Sequence, residues 1–285
     1  MTTAPAAALD ATSPLFMHTR GSGERVVCLH SSTGTHAQWR TLQERLAVRW
    51  EVMAPDLHGH GRSPAWPEAG AASLHFDAEA VARQAGINAG EAVHLVGHSY
   101  GAAVALQIAL SHPGQVRSLT LYEPVAFGLL HKAAPGDEAL DEIEAVASSV
   151  AALVRLGALQ DAARVFVGYW GGAAAWAAMN ADQQQSVMAR MVAVPRHFEA
   201  LFAARWDGPV LRRLRMPVLL MRGESTRASA RRVSELLAAA LPHAQCVELG
   251  GAGHLGPLTH RDTVASWMLG HLDPQLASAA FAQAA

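Results

Sequence analysis

Cysteine is scarce in this chain: there are two in 285 residues, Cys28 and Cys246. That excludes a scaffold built on disulfides. Both fall in runs that read as strands, so buried thiols in a reducing compartment are expected, with a pairing between them left open. Charge is also scarce. Charged residues make up 16% of the chain and the formal net charge is −2, so no basic field exists to attract nucleic acid or an anionic membrane. No apolar run approaches the length of a membrane span. Residues 1–13 lack the basic start and apolar core of a signal peptide; a disordered N-terminal segment and a cytoplasmic location are expected. No internal repeat is present. What the chain does have is apolar residues, 51% of the total, enough for one large core.

Their pattern alternates. Short apolar runs at 15–19, 25–29, 51–54, from 93, 117–122, 217–221 and 245–249 read as strands. Helical spacing fills 36–48, a stretch capped by Asp77 and running to Ala85, then 228–241 and 261–272. Between 125 and 207 the strands stop. Leu140, Ile143, Val146, Val150 and Leu153 recur at helical spacing, as do Val165, Phe166, Tyr169 and Trp170. Pro195 is expected to break the last helical run. Alternation on both sides of an all-helical stretch predicts an α/β fold: a mostly parallel sheet covered by helices on both faces. Residues 14–124 and 208–273 would form the core, 125–207 an inserted helical cap, and 274–285 a tail.

The centre of the pattern is Gly97-His98-Ser99-Tyr100-Gly101. It lies between a buried strand and an apolar helix, where G-x-S-x-G places a serine hydroxyl on a sharp bend at the end of a sheet. The helix behind Ser99 aims free N–H groups and its positive dipole end at the site, which favours a developing oxyanion. A serine hydroxyl needs a base. His254, just beyond the last strand, is the candidate, because strand C-termini of a parallel sheet share one edge. The remaining histidines are read as surface or packing residues. His58 and His60 form an H-x-H, but no third metal ligand suggests itself. Gly251 to Gly256 spells G-x-G-x-x-G; a dinucleotide site would need a further βαβ unit that the chain lacks. The N–H of Tyr100 and one from the loop after Leu29 are the expected oxyanion donors.

These pieces together resemble the α/β-hydrolase family: His30-Ser31-Ser32 with Trp39, Asp56 to Ser63 with Gly59 and Gly61, the turn around Ser99, and Gly253-His254. The resemblance covers nearly the whole chain outside the tail and cap. It implies Ser99 as nucleophile, His254 as base, and the N–H groups of Ser32 and Tyr100 as oxyanion donors. It implies no cofactor. Two positions depart from the family. Ser31 stands where glycine is usual, which leaves open whether Ser31 or Ser32 donates; Ser32 is favoured. Thr226 stands where many members carry the acid that orients the histidine. Two carboxylates could substitute: Glu123, at the end of the strand after the nucleophile strand, where some members place their acid, or Glu224. Glu123 is favoured, since strand-end side chains alternate faces and Glu224 can point away.

Phe166, Tyr169, Trp170 and Trp176 are candidate pocket residues, which suits a small, moderately hydrophobic acyl substrate. The expected activity is hydrolysis of a carboxylic ester or related acyl compound. C–C bond hydrolysis, lactone hydrolysis and cofactor-free perhydrolysis use the same groups, and a ligand-binding protein on a hydrolase scaffold is the alternative outside enzymes. Oligomeric state is not legible.

Overall fold

A computed structural model describes residues 14–66, 70–133 and 135–273. The expectations for segments 1–13 and 274–285 therefore lie outside the described residues. Seven strands form one sheet: β1 Met17–Arg20, β2 Glu24–Leu29, β3 Trp50–Pro55, β4 Val93–His98, β5 Val116–Tyr122, β6 Val218–Gly223 and β7 Gln245–Leu249. Their order is β1-β3-β2-β4-β5-β6-β7. Only β1 runs antiparallel, against β3. The continuous apolar runs of β2 and β4 are explained by burial on both faces. Val27 and Leu29 enter one core, Val26 and Cys28 the other.

From β2 the chain moves to β3 on one side and then to β4 on the other. At such a reversal the loops leaving neighbouring strands diverge and open a crevice at their C-terminal ends. Leu29 of β2 pairs with Gly97 of β4, so the loop after β2 and the turn at Ser99 flank that crevice. The helix Tyr100–Ser111 is buried from Tyr100 through Leu110. An apolar surface all round is what a helix at the centre of a protein needs. Among the described residues between β5 and β6 there is no strand. The main helices there are Glu138–Arg155, Leu159–Gly171, Ala181–Arg190 and Val194–Ala203.

Several local expectations need correction. The helix expected from Asp77 begins earlier: Ser73 caps Leu74–Gln84, its hydroxyl accepting from the N–H of His75 at 3.3 Å. Asp77 lies inside that helix and is fully buried, because its carboxylate has other partners described below. Pro195 does not break a helix. It sits in the first turn of Val194–Ala203, where its missing N–H would have had no partner; the interruption is the 3-10 turn Met191–Ala193. The stretch 36–48 divides into a 3-10 turn, His36–Trp39, and a helix, Arg40–Leu46. Cys246 is exposed rather than buried, since β7 is the edge strand and its outer face is uncovered. Both cysteines are free.

Gly101 fixes the crevice. A Cβ on it would overlap the carbonyl oxygens of Leu29 and His30, so the absence of a side chain lets the helix start against the end of β2. Replacing Gly101 with alanine is expected to destabilise the protein by about 1–3 kcal/mol, since backbone rather than a flexible side chain must move. Urea unfolding of Gly101→Ala checks this; an unchanged midpoint would show that the close approach is not required.

Candidate active site

Three strand ends converge on one hydrogen-bonded chain. Ser99 follows β4, Glu123 follows β5, and His254 lies in the loop after β7. The His254 ring places Nε2 2.9 Å from Ser99 Oγ and Nδ1 2.7 Å from Glu123 Oε2. A carboxylate only accepts, so Nδ1 carries the proton and Nε2 is left to accept from the serine hydroxyl. All three side chains are buried, at 5%, 2% and 0% exposure in the order Ser99, His254, Glu123. Ser99 has φ +55° and Glu123 φ +42°. Non-glycine residues rarely adopt this region, and where they do the surroundings must hold them there.

Glu123 is held from several sides. Oε1 accepts from the N–H of Gly223 at 2.8 Å, and Oε2 from Thr226 Oγ1 at 2.6 Å as well as from His254. Burial opposes ionisation, but the bonds from His254, Thr226 and Gly223 outweigh it and keep the carboxyl below its ordinary pKa. Thr226, where the sequence shows no acid, donates its hydroxyl to Glu123. Glu224 is exposed and accepts from the N–H of Gly251; it does not meet His254. The backbone carrying His254 is held as well. His98 Nε2 donates to the His254 carbonyl at 2.8 Å, and the Tyr122 hydroxyl to that of Gly253 at 2.8 Å. Trp170 stacks on the His254 ring with centroids 3.8 Å apart.

The loop after β2 supplies the opposite wall. Ser31 is occupied: its N–H and hydroxyl both donate to Gln38 Oε1, at 3.1 and 2.8 Å. Among the described residues no hydrogen-bond partner is found for the N–H groups of Ser32 and Tyr100. Ser32 and Ser99 border one cavity of about 420 Å³. Of the candidate pocket residues, Phe166 and Trp170 line it. Tyr169 and Trp176 do not: the Tyr169 hydroxyl is engaged with Ser229 at 2.8 Å, and Trp176 is buried in the hydrophobic core.

The histidines read as surface or packing residues have more particular places. His30, His58, His60, His98 and His197 are all buried. His30 Nδ1 donates to the carbonyl of Ser31 and its Nε2 accepts from the N–H of Leu57. His60 Nδ1 donates to the carbonyl of His58 and its Nε2 accepts from the N–H of Thr33, which has φ +62°. His197, from the helical segment, bonds Ser32 Oγ at 2.8 Å and stacks on Tyr100 with centroids 3.6 Å apart. Asp77 accepts from His58 and from the Tyr100 hydroxyl. The only sequence signal for this was position: His30 and His98 directly adjoin strand ends.

A family model described as the alpha/beta hydrolase fold matches residues 24–261, and the chain belongs to that family. It resembles the pimeloyl-[acyl-carrier protein] methyl ester esterase of Chromobacterium violaceum, with 37% identity over 48% of this chain and 51% of that protein. It also resembles the dihydrolipoyllysine-residue acetyltransferase component of the acetoin cleaving system of Cupriavidus necator, with 39% identity over 38% of this chain and 28% of that protein. The chain thus spans about half or less of the length of these curated relatives. Among solved structures, a hydrolase from Pseudomonas aeruginosa PA01 superposes with TM-score 0.75 and 21% identity, over 90% of this chain and 93% of that one; this likeness is one of fold.

The loop histidines carry a pH dependence. Burial lowers His60 from 6.5 to about 4 and His30 to about 3, against a partial counter-effect of Asp77 and Asp56. His60 also faces Arg190, His30 and His197. As pH falls below 6.5 the unfolded chain takes up protons that the folded chain refuses. Stability is therefore complete above that value and declines toward pH 4, by about 2 kcal/mol per histidine at pH 5. The melting temperature is expected to drop between pH 7.5 and 5. His60→Gln, which keeps a donor and an acceptor without titrating, should flatten that slope.

Proposed function

We propose that the protein is a serine hydrolase that cleaves a carboxylic ester or related acyl compound through an acyl-enzyme on Ser99. The observation that carries this reading is the unbroken hydrogen-bonded chain from Ser99 through His254 to Glu123. Ser99 Oγ attacks the acyl carbon while His254 Nε2 takes its proton. Glu123 holds the Nδ1 tautomer and stabilises the imidazolium that forms. The carbonyl oxygen becomes an oxyanion facing the N–H groups of Ser32 and Tyr100 and the N-terminus of the helix Tyr100–Ser111. His254 then gives its proton to the leaving oxygen. In the second half a water repeats the attack on the acyl-enzyme, with His254 again as base.

Residues 125–207 act in this reading as a cap. Its Phe166 and Trp170 close the apolar side of the cavity, and Trp170 also covers His254 and limits water around the ring. The likeness to a methyl ester esterase supports ester chemistry. Thr226, read as a lost acid, could suggest a non-catalytic scaffold; its bond to Glu123 supports a working carboxylate instead.

A fluorophosphonate probe is expected to label Ser99, and Ser99→Ala to abolish both labelling and hydrolysis of p-nitrophenyl butyrate. A protein that neither labels nor hydrolyses short esters would remove this reading. Glu123→Gln keeps the shape but not the charge, and should lower kcat by roughly 10³- to 10⁴-fold. Glu224→Gln should have far less effect; equal or reversed losses would take Glu123 out of the role.

A further inference from the structure

Arg190 ends the helix Ala181–Arg190 and is half-buried in the wall of the cavity that holds Ser99. Its Nη1 donates to the carbonyl of Thr33 at 2.8 Å. No residue lining the cavity is acidic. The charge of Asp56 reaches Arg190, but its oxygens already accept from His36 and from the N–H of Arg62. Other arginines of the chain meet carboxylates nearer the surface: Arg25 with Glu51, Arg222 with Glu248, Arg232 with Asp137.

A guanidinium is ionised at any working pH and presents a planar fork of N–H donors. Partly desolvated, and with no carboxylate in ion-pair contact among the described residues, it is in a costly position that a bound anion would relieve. Phe166, Val167, Trp170 and Val187 add apolar lining from the same helical segment, beside Gln183, whose Oε1 already accepts from the N–H of Asn180. A ligand that fits both features has an apolar body and a single negative end. A carboxylate suits the fork best, since its two oxygens match the guanidinium's donor geometry. Thr33 adjoins Ser32, so the same side chain that would take the anion also braces the loop beside the reacting carbonyl.

The geometry points to Arg190 as the recognition site for a carboxylate on the substrate, which makes the substrate class an ester or thioester bearing a free carboxylate, such as a half-ester of a dicarboxylic acid. This inference rests on the hydrolase reading for its chemistry, though not for its binding. Recognition of this kind changes which ester is preferred; a bracing role for Thr33 alone would affect all esters alike.

The test compares mono-p-nitrophenyl glutarate with p-nitrophenyl pentanoate, which have equal chain length and differ by a terminal carboxylate. In Arg190→Gln the ratio of kcat/KM for the anionic over the neutral ester is expected to fall about 10- to 100-fold, mostly through KM. Arg190→Lys, which keeps the charge but loses the fork, should recover part of that ratio. Losses equal on both esters, with the ratio unmoved, would overturn the inference and leave the hydrolase reading standing. Binding is read separately by titrating glutarate into Ser99→Ala, where adding Arg190→Gln should weaken it by a similar factor. If neither ester is turned over yet glutarate binds through Arg190, the recognition site stands and the hydrolase reading fails. Glutarate binding indifferent to Arg190 would end the inference.

Discussion

The contact on which the site depends is the seating of Gly101 against the carbonyls of Leu29 and His30. It joins two loops that have no sequence neighbourhood. One leaves β2 and carries Ser32; the other leaves β4 and carries Ser99. The parallel pairing of these strands brings their ends together, but pairing alone sets the ends about one strand spacing apart. Bringing the start of a helix against the neighbouring strand end requires a residue without a Cβ. Once the helix is there, Ser99 sits on the bend at φ +55° and borders the same cavity as Ser32. The placement of Ser99 against the loop after β2 thus follows from one steric permission, before any side chain chemistry enters.

Around that backbone the protein uses neutral imidazoles as rigid brackets. His30 and His60 each donate through one nitrogen and accept through the other, and both grip main-chain groups. A buried ring that satisfies two backbone groups at once fixes a loop without introducing charge, which in a low-dielectric interior would perturb its neighbours. Burial keeps these rings uncharged at neutral pH. The negative charge of Glu123 is then met chiefly by the donors aimed at it from Gly223, Thr226 and His254. His197 extends the bracket into the helical segment, where it touches both Ser32 and Tyr100. The seating of that segment and the shape of the loop after β2 are therefore mechanically one question.

How much of this was legible in the sequence follows from how local each feature is. Strand, turn and helix at Ser99 are contiguous, and their glycines announce themselves by spacing. His254 was legible because parallel strands put their C-termini on one edge. The bracket histidines were not, since nothing local separates His60 or His197 from a packing residue; their partners lie 27 and 165 positions away. The same holds for Asp77, whose place before an apolar run imitates a helix cap while its real partners sit on other elements. Tyr169 and Trp176 show the limit of composition. A cluster of aromatics marks a helical segment that must pack, and packing accounts for two of the four.

The position of Glu123 has a geometric reason. β5 and β6 are neighbours in register, with Tyr122 beside Met221, and the N–H of Glu123 donates to the Met221 carbonyl at 2.9 Å. The ends of the two strands therefore open onto the same small volume below His254. Glu123 reaches Nδ1 from the end of β5, whereas Glu224, one residue past β6, turns to the N–H of Gly251. The side chain at the vacated end then has to supply a donor rather than a second charge, because two carboxylates in one buried space would push one another toward protonation. Threonine does this: Thr226 directs its hydroxyl at Glu123 Oε2, on the same oxygen that receives the His254 proton bond. The threonine that makes the sequence look incomplete is thus a donor to the carboxylate that His254 meets.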